Sequence, residues 1–201
     1  MKPISAVLFD VGNVLIRLRP WQDVFPASVK AGGTDLRRAL EDLSASEVLL
    51  RFERGRASRE EFCDEVRRLF STALSDLEIQ RYYLALLGEP MEGMESLLRD
   101  LQSRGVRVAG LSNTSPIHVE ALLDYRAVAL LEFLVASCEI GHCKPSREAY
   151  ETAVRMLDVE PGAILFVDDL QENVVGAQAA GLQAVRFESA ESLRKRLLAA
   201  G

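Results

Sequence analysis

Cysteine is scarce in this chain, and no two cysteines form a paired motif. The three cysteines, Cys63, Cys138 and Cys143, are an odd number and include no C-x-x-C pair. This usage predicts free thiols in a reducing compartment rather than a disulfide framework. Cys138 and Cys143 lie near His142, but a structural zinc ion normally takes four ligands, so a zinc site is the weaker alternative.

The sequence also lacks a surplus of positive charge and any long hydrophobic run. Its 24 Lys and Arg residues are outnumbered by 30 Asp and Glu residues, which gives a net charge of −6. A nucleic-acid partner is not expected, because the phosphate backbone is bound through clustered cations. No segment has the length that crosses a bilayer and no signal-peptide pattern is present, so we predict a cytoplasmic protein without a membrane partner.

Glycine and proline are not enriched either, with 13 and 7 in 201 residues, and no segment is of low complexity. Hydrophobic residues at 48% and charged residues at 27% are typical of a folded globular protein. A chain of this length can bury one core, or one core with a small appended subdomain. The composition leaves the oligomeric state open between a monomer and a homodimer.

Short apolar runs recur along the chain and each ends near a polar residue. They lie at 4–9, 106–111, 133–136, 163–167 and 183–187. Segments with helical spacing separate them, at 94–102, 116–125, 146–157 and 173–180. This alternation predicts an α/β fold, with a Rossmann-like parallel sheet and helices on both faces.

Residues 17–90 interrupt the alternation, because they show helical spacing and no convincing strand. The predicted helices lie at 46–52, 59–70 and 76–87, with a loop at 53–56. We therefore predict two domains: a core formed by 1–16 and 91–201, and a small all-helical cap subdomain formed by 17–90. A cap at this position can select the substrate, although each of its residues can equally serve packing. The candidates for substrate contact in it are Trp21, Phe52, Glu53, Arg54 and Arg56.

Residues suited to catalysis follow three of the predicted strands. Asp10 follows the first strand, Ser112 the second, and the pair Asp168 and Asp169 the fourth. Because the carboxyl ends of parallel strands meet at one edge of a sheet, we expect these side chains to converge. Two adjacent carboxylates are costly there unless a cation or a lysine compensates, and Mg²⁺ prefers such oxygen ligands. A lone Asp10, by contrast, would be an ordinary turn residue.

Lys144 and the segment after the second predicted strand are the candidates for anion binding. Lys144 precedes Pro145, which restricts the lysine backbone to extended or turn geometry. Ser112 and Asn113 precede a helix that starts near Pro116, and backbone N–H groups at a helix start can bind an anion. A surface lysine and an ordinary helix cap remain the structural alternatives.

Taken together, these segments resemble the four ordered motifs of the haloacid dehalogenase-like (HAD) hydrolase superfamily, across almost the whole chain. The matching segments are 9–15, 111–113, Lys144 with Pro145, and 166–169 with Asn173 and Gly176. The resemblance implies a HAD core with a cap, and a magnesium-dependent phosphatase acting on a small phosphorylated metabolite. The reaction it implies passes through an aspartyl-phosphate intermediate that water then hydrolyses.

The resemblance also implies a role for each motif residue. Asp10 is implied to be the nucleophile and a magnesium ligand, and Lys144 to be a catalytic residue that offsets negative charge and contacts the phosphate. The other implied positions are Ser112 and the backbone amide of Asn113 for phosphate, and Asp168, Asp169 and the backbone carbonyl of Gly12 for magnesium.

One position departs from the family pattern. Most phosphatases of this family carry a second aspartate two residues after the nucleophile, as general acid and base, whereas this chain has Gly12. General acid–base catalysis contributes a factor of about 10² to 10⁴ in rate. The Asp-x-Gly-Asn motif resembles a subgroup that includes bacterial α-D-glucose-1-phosphatase. Since an anomeric oxygen leaves more readily than a simple alcohol, a sugar 1-phosphate or an acyl phosphate is the predicted substrate.

Three rival functions fit parts of the sequence. A 2-haloacid dehalogenase would use the same aspartate without magnesium, but that branch does not ordinarily place two acids after the fourth strand. A catalytically silent phosphate-binding or regulatory module would explain Gly12, yet the other motif residues favour turnover. A dinucleotide-binding protein is disfavoured, because the first strand leads into residues 10–13 and not into a G-x-G-x-x-G loop.

Overall fold

A computed structural model describes residues 2–25 and 35–198 of the chain. Within this part, the strands are β1 (Ala6–Phe9), β2 (Ile16–Leu18), β3 (Leu87–Pro90), β4 (Arg107–Ser112), β5 (Leu134–Ala136), β6 (Ile164–Asp168) and β7 (Gln183–Arg186). Five of them form one sheet in the order β5-β4-β1-β6-β7, and every pairing in it is parallel. The predicted parallel α/β sheet is therefore confirmed.

The helices of the described residues surround this sheet or lie between β2 and β3. Those between β2 and β3 are α1 (Trp21–Val24), α2 (Leu36–Ser44), α3 (Glu47–Phe52), α4 (Arg59–Phe70) and α5 (Asp76–Leu84). Those after β3 are α6 (Met94–Ser103), α7 (Pro116–Leu122), α8 (Arg126–Ala129), α9 (Ser137–Ile140), α10 (Arg147–Leu157), α11 (Gln171–Ala179) and α12 (Ala190–Leu198). A short 3₁₀ turn, Pro161–Ala163, leads into β6.

Alternation along the strands gives each face of the sheet its own hydrophobic core. In β1, Val7 and Phe9 pack on the face covered by α6 and α12. Ala6 and Leu8 pack on the opposite face, which α10 and α11 cover. All four β1 residues are fully buried, as expected for a central strand with helices on both sides.

The helices between β2 and β3 have a hydrophobic core of their own, which is rich in aromatic rings. Phe52 stacks on Phe62 and Phe25 stacks on Phe70, each pair with ring centroids 4.8 Å apart. Capping boxes formed by Ser58 with Glu61 and by Ser75 with Glu78 start α4 and α5. These caps explain why the sequence pattern locates both helix starts correctly. Residues 26–34 of the predicted cap lie outside the described residues, as do Met1 and 199–201 of the predicted core.

The absence of a strand in 17–90 was a wrong prediction. Strands β2 and β3 pair antiparallel. The segment between them, with helices α1 to α5 and their loops, is the helical insert, and it joins the rest of the chain at this strand pair. The helix predicted over 76–87 ends at Leu84, and Leu87 belongs to β3. Gly88 and Pro90 are poor helix formers, and a Cβ at Gly88 would lie only 2.7 Å from the Arg17 carbonyl oxygen. The division into domains at 16/17 and 90/91 stays a prediction.

The strand register places the predicted site residues at one edge of the sheet. Phe9 pairs with Gly110 of β4 on one side and with Val167 of β6 on the other. The residue after Phe9 and the final residues of β4 and β6 therefore emerge side by side. Within the described residues, no helix is both long and apolar enough to cross a membrane.

Candidate active site

Asp10, Lys144 and Asp168 form a buried ionic cluster at the carboxyl edge of the sheet. Lys144 Nζ lies 2.6 Å from Asp10 Oδ1 and 2.8 Å from Asp168 Oδ2. The three residues are 7%, 5% and 0% exposed, respectively, so little water reaches the charges. Asp10 and Asp168, which lie 158 positions apart in sequence, thus meet where the parallel strands end, as the sequence predicts, and Lys144 joins them from the loop before α10.

Further hydrogen bonds fix the Asp168 carboxylate. Asn173 Nδ2 lies 3.0 and 3.1 Å from the two oxygens, and the Leu170 N–H donates to Oδ1 at 2.9 Å. Asn173 belongs to the fourth motif, but no role is predicted for it from the sequence. The geometry assigns it one, because it holds the carboxylate against Lys144.

The loop that carries Lys144 is held by close packing against α11. A Cβ at Gly176 would lie 2.8 Å from Pro145 Cβ and 3.0 Å from the Pro145 carbonyl oxygen, so only glycine allows this approach. The peptide between Lys144 and Pro145 is cis. Tyr150 supports the same contact, since its hydroxyl donates to the Asn173 carbonyl oxygen at 2.8 Å.

The cluster is electrostatically unbalanced. Burial raises the pKa of Asp10 to about 6; Lys144 opposes this shift, and the charge of Asp168 adds to it. Burial alone would lower the pKa of Lys144, but the two carboxylates outweigh it and raise that pKa. Two carboxylates and one ammonium group leave a net negative charge, which a bound cation would neutralise.

Oxygen atoms suited to a divalent cation surround this charge. One carboxylate oxygen each from Asp10, Asp168 and Asp169 lies within 4.8 Å of the others. Asp169 is half-buried and accepts a hydrogen bond from Asn13 Nδ2 at 3.2 Å. A set of carboxylate oxygens fits Mg²⁺. Among the described residues, Cys138, His142 and Cys143 form no comparable cluster, and all three cysteines are free thiols, as predicted.

Ser112 and Asn113 stand at the same edge but use their side chains differently. Ser112 is buried at the end of β4 and lines the cavity beside Asp10. The Asn113 side chain is occupied by the Lys144 backbone: its Oδ1 accepts from Lys144 N at 2.7 Å, and its Nδ2 donates to Lys144 O at 2.9 Å. The side chain of Asn113 therefore positions Lys144, and only the backbone amide is left for the predicted phosphate contact.

Gly12 also lines the cavity. A Cβ at this position would meet Leu18 Cδ1 at 3.0 Å, and the Leu18 side chain is 41% exposed and flexible. An aspartate could therefore be accommodated if Leu18 shifted, so the backbone does not require glycine here. The first motif supplies no carboxyl group other than that of Asp10.

A cavity of about 470 Å³ lies between the sheet edge and the helical insert, a size typical of sites for small molecules. Of the candidates in the insert, Trp21 and Glu53 line it, whereas Phe52, Arg54 and Arg56 do not. Phe52 is fully buried in the core of the insert. The apolar side chains from β2, the insert and β3 that line the cavity are Ile16, Leu18, Trp21, Leu49, Leu50, Leu86 and Leu87.

Two further residues at the cavity were not predicted from the sequence. His118 Nε2 lies 2.8 Å from the Tyr83 carbonyl oxygen, and the two rings stack with centroids 4.0 Å apart. Burial lowers the pKa of His118, so the neutral imidazole is favoured. Their helices, α7 and α5, carry no motif that distinguishes these residues from ordinary packing residues.

Comparisons with known proteins agree with this geometry. Residues 4–181 match the family of haloacid dehalogenase-like hydrolases. The sesquiterpene phosphatase astK of Aspergillus oryzae is 31% identical over 181 residues, which cover 89% of this chain and 87% of that protein. The chloroplast flavin mononucleotide hydrolase 1 of Arabidopsis thaliana is 31% identical over 198 residues, or 98% and 77% of the two chains. The magnesium complex of a HAD family enzyme from Bacteroides thetaiotaomicron superposes with a TM-score of 0.78 at 25% identity, covering 94% and 95%.

Proposed function

The chain belongs to the haloacid dehalogenase-like hydrolases, and on this premise we propose that it is a magnesium-dependent phosphatase of a small phosphorylated metabolite. The observation that carries the proposal is the buried Lys144 ammonium group, which is held between Asp10 and Asp168 and lines the cavity. A lysine buried against two acids is expensive to maintain for stability alone. It is well suited to a site where an anion must approach a carboxylate nucleophile.

Asp10 is the proposed nucleophile. Its carboxylate attacks phosphorus, the bond from phosphorus to the leaving oxygen breaks, and an aspartyl-phosphate forms; water then attacks phosphorus and releases phosphate and the free carboxylate. Lys144 offsets the charge that builds up on the transferred group, and Ser112 donates a hydrogen bond to it. The backbone amide of Asn113 is the second proposed donor.

Asp10, Asp168, Asp169 and the backbone carbonyl of Gly12 are the proposed magnesium ligands. Bound magnesium would neutralise the excess negative charge of the cluster and of the substrate phosphate. The three carboxylates close together support this assignment, as does the magnesium complex of the structural relative. The relatives named as a phosphatase and as a flavin mononucleotide hydrolase support a phosphoric monoester hydrolase over a dehalogenase.

A sugar 1-phosphate is the proposed substrate. With glycine at position 12, the first motif offers no proton donor, and an anomeric leaving group needs less protonation than a simple alcohol. A cytoplasmic location and a monomeric or homodimeric state belong to the same proposal and stay predictions.

A phosphate ester with an apolar body is the second candidate, favoured by the lining of the cavity. Leu18 and Leu50 line it and are 41% and 42% exposed, and Trp21 adds an aromatic surface. Covering half-exposed apolar side chains that line a cavity with an apolar ligand is favourable, because it removes apolar surface from water.

The first test is phosphate release from 4-nitrophenyl phosphate and from glucose 1-phosphate, with and without magnesium. We expect magnesium-dependent release that Asp10→Asn abolishes and that Asp124→Asn, on an exposed turn after α7, leaves unchanged. A panel of sugar 1-phosphates, sugar 6-phosphates and farnesyl phosphate then separates the two substrate classes. A clear preference for 6-phosphates would contradict the sugar 1-phosphate proposal. A folded protein that releases no phosphate from any ester would instead support the binding-module alternative.

A further inference from the structure

The cavity contains one carboxyl group that the proposed mechanism leaves unused. Among the described residues that line it, the carboxyl groups are those of Asp10, Asp169 and Glu53. The first two belong to the acidic cluster. Glu53 follows α3 in the insert and is half-buried. Glu53 lines the same cavity as Gly12, the position at which most phosphatases of this family carry an aspartate.

Hydrogen bonds tie the Glu53 backbone to the proposed phosphate-binding segment. The Ser137 hydroxyl donates to the Glu53 carbonyl oxygen at 2.6 Å. The same hydroxyl oxygen accepts a hydrogen bond from the Thr114 N–H at 2.9 Å. Cys143 Sγ lies 3.9 Å from the same Glu53 carbonyl oxygen. The Ser137 hydroxyl therefore links the Glu53 backbone to the loop that begins at Ser112. Cys143, which is next to Lys144, adds a weaker contact to the same carbonyl oxygen.

The loop after Glu53 is also seated directly on the core. Gly55 has φ +65°, and a Cβ there would lie 2.0 Å from the Cys138 carbonyl oxygen, so a larger residue cannot take this position. Arg56 Nη2 donates to the Gly141 carbonyl oxygen at 3.3 Å. These contacts hold the Glu53 backbone in a defined place although it belongs to the insert.

The other titratable groups in the cavity outside the acidic cluster are poor proton carriers. Arg19 offers only hydrogen-bond donors and no acceptor. Burial raises the pKa of Tyr83 well above its usual range. His118 has its Nε2 engaged by the Tyr83 carbonyl oxygen, and burial favours the neutral ring. Within the part of the chain that the structure describes, Glu53 is the remaining titratable group that lines the cavity.

We propose that Glu53 is the general acid and base of this phosphatase, supplied by the insert in place of an aspartate at position 12. This inference rests on the proposed function. In the first step, the Glu53 carboxyl group gives its proton to the leaving oxygen as the phosphorus–oxygen bond breaks and Asp10 becomes phosphorylated. In the second step, the Glu53 carboxylate takes a proton from the attacking water, the bond from Asp10 to phosphorus breaks, and Glu53 is protonated again.

The charges around Glu53 are compatible with this cycle. Burial raises its pKa, and only the neighbouring Arg54 acts in the opposite direction. The other groups that face it are Tyr83, Cys138 and Cys143, and the negative charge of Glu53 contributes to the raised pKa of each. All three are neutral at ordinary pH. A carboxyl group with a raised pKa keeps a larger protonated fraction near neutrality, which suits a proton donor.

The decisive experiment compares Glu53→Gln with the native chain on leaving groups of different basicity. For an alkyl phosphate, kcat/KM should fall by about 10² to 10³-fold, because the leaving alkoxide needs a proton. For 4-nitrophenyl phosphate it should fall less than about threefold, because that leaving group is stable as an anion. The basic limb of the pH profile of kcat/KM for the alkyl ester should disappear. Glu60→Gln, exposed in the first turn of α4, is the matched control and should leave both esters unchanged.

A second variant separates catalysis from folding. Gly12→Asp placed in the Glu53→Gln background should restore kcat/KM for the alkyl ester by about tenfold or more, since it returns a proton donor to the cavity. Equal loss for both esters, or no loss for the alkyl ester, would overturn the inference while leaving the phosphatase intact. A native chain that is inactive on every ester would overturn both proposals.

Discussion

The sheet edge and the helical insert meet at one cavity but contribute different chemistry. The sheet edge supplies buried charges that are bonded to one another: Lys144 Nζ contacts both Asp10 and Asp168. The insert supplies mainly apolar and aromatic surface, as at Trp21 and Leu50, together with the polar side chains of Arg19, Ser44 and Glu53. A charged cluster fixed by strand ends can act on the phosphate common to all substrates. An adaptable apolar surface is better suited to distinguishing the part of the substrate that varies.

The two regions also differ in how their residues affect stability. The insert is built on stacked aromatic rings, and burial of such rings is strongly favourable. In the charged cluster, the ionised Asp10 carboxylate is unfavourable in the absence of metal, since burial raises its pKa to about 6. At the sheet edge, a residue proposed for catalysis therefore reduces the stability of the fold. In the insert, the stacked rings of Phe52 with Phe62 and of Phe25 with Phe70 stabilise the fold and are not among the residues that line the cavity. Four substitutions test this contrast.

Lys144→Met is expected to have the largest effect, because it alters both chemistry and electrostatics. Without the ammonium group, kcat should fall by about 10² to 10³-fold. The metal-free protein should lose about 3–5 kcal/mol of unfolding free energy, because two buried carboxylates lose their partner. Steady-state kinetics and urea denaturation measure the two effects, with the exposed Lys195→Met as control. Unchanged kcat would contradict the assignment of the sheet edge as the catalytic region.

Phe52→Ala should destabilise the insert and leave the sheet edge intact. Phe52 is fully buried and stacks on Phe62, so its truncation should cost about 3–5 kcal/mol. Amide hydrogen exchange should quicken in 36–84 and stay slow in β1, β4 and β6. The control is Leu77→Ala, because Leu77 is 78% exposed. If protection were lost equally in the sheet, the insert would not be a separate unit, and the predicted division into two domains would be wrong.

Asp10→Asn should stabilise the metal-free protein at neutral pH. The folded-state pKa of about 6 lies above the ordinary 3.8, so the ionised carboxylate costs stability above about pH 6, and this cost vanishes below about pH 4. Removing the charge should raise the unfolding free energy by up to about 3 kcal/mol near pH 8. The gain should shrink as the pH falls from about 6 to 4.

Thermal denaturation of both proteins in the presence of a chelator, measured across this pH range, tests the predicted gain in stability. Asp124→Asn, at an exposed aspartate, should show no such pH-dependent gain. A less stable Asp10→Asn protein near pH 8 would mean that the pair with Lys144 outweighs the cost of burying the carboxylate.

The contrast between the regions also explains what the sequence can predict. Asp10, Ser112 and Asp168 each follow an apolar run, and parallel strands bring such positions together whatever the loops do. Their convergence can therefore be predicted from the sequence alone. Asn173 bonds to Asp168, and Asn113 bonds to Lys144. These hydrogen bonds depend on side-chain directions, which the hydrophobic periodicity of the sequence does not predict.

In the insert, the sequence predicts the starts of α3, α4 and α5, misses α1 and α2, and does not show which residues face the cavity. Glu53 and its neighbours Arg54 and Arg56 are equivalent in a loop pattern, but in the structure Glu53 lines the cavity and the two arginines do not. The pairing of β2 with β3 is missed for a related reason. It joins residues about 70 positions apart through two very short strands, and strands of that length show no clear alternation.

Leu50→Ala is expected to have the smallest effect and to bear most directly on the role of the insert. Leu50 is 42% exposed and lines the cavity, so its loss should change the unfolding free energy by less than about 0.5 kcal/mol. For farnesyl phosphate, KM should rise by about 3–10-fold with kcat unchanged, because an apolar contact far from phosphorus is the same in the ground state and the transition state. For glucose 1-phosphate, both constants should stay within about twofold.

Leu123→Ala is the matched control, because Leu123 is 65% exposed and is not among the residues that line the cavity. A fall in kcat for both esters with KM unchanged would show that Leu50 supports the reacting groups. The insert would then contribute to the chemistry through its packing as well as through Glu53. A rise in KM for farnesyl phosphate alone would instead place substrate selection in the apolar surface of the insert and leave the shared phosphate chemistry to the sheet edge.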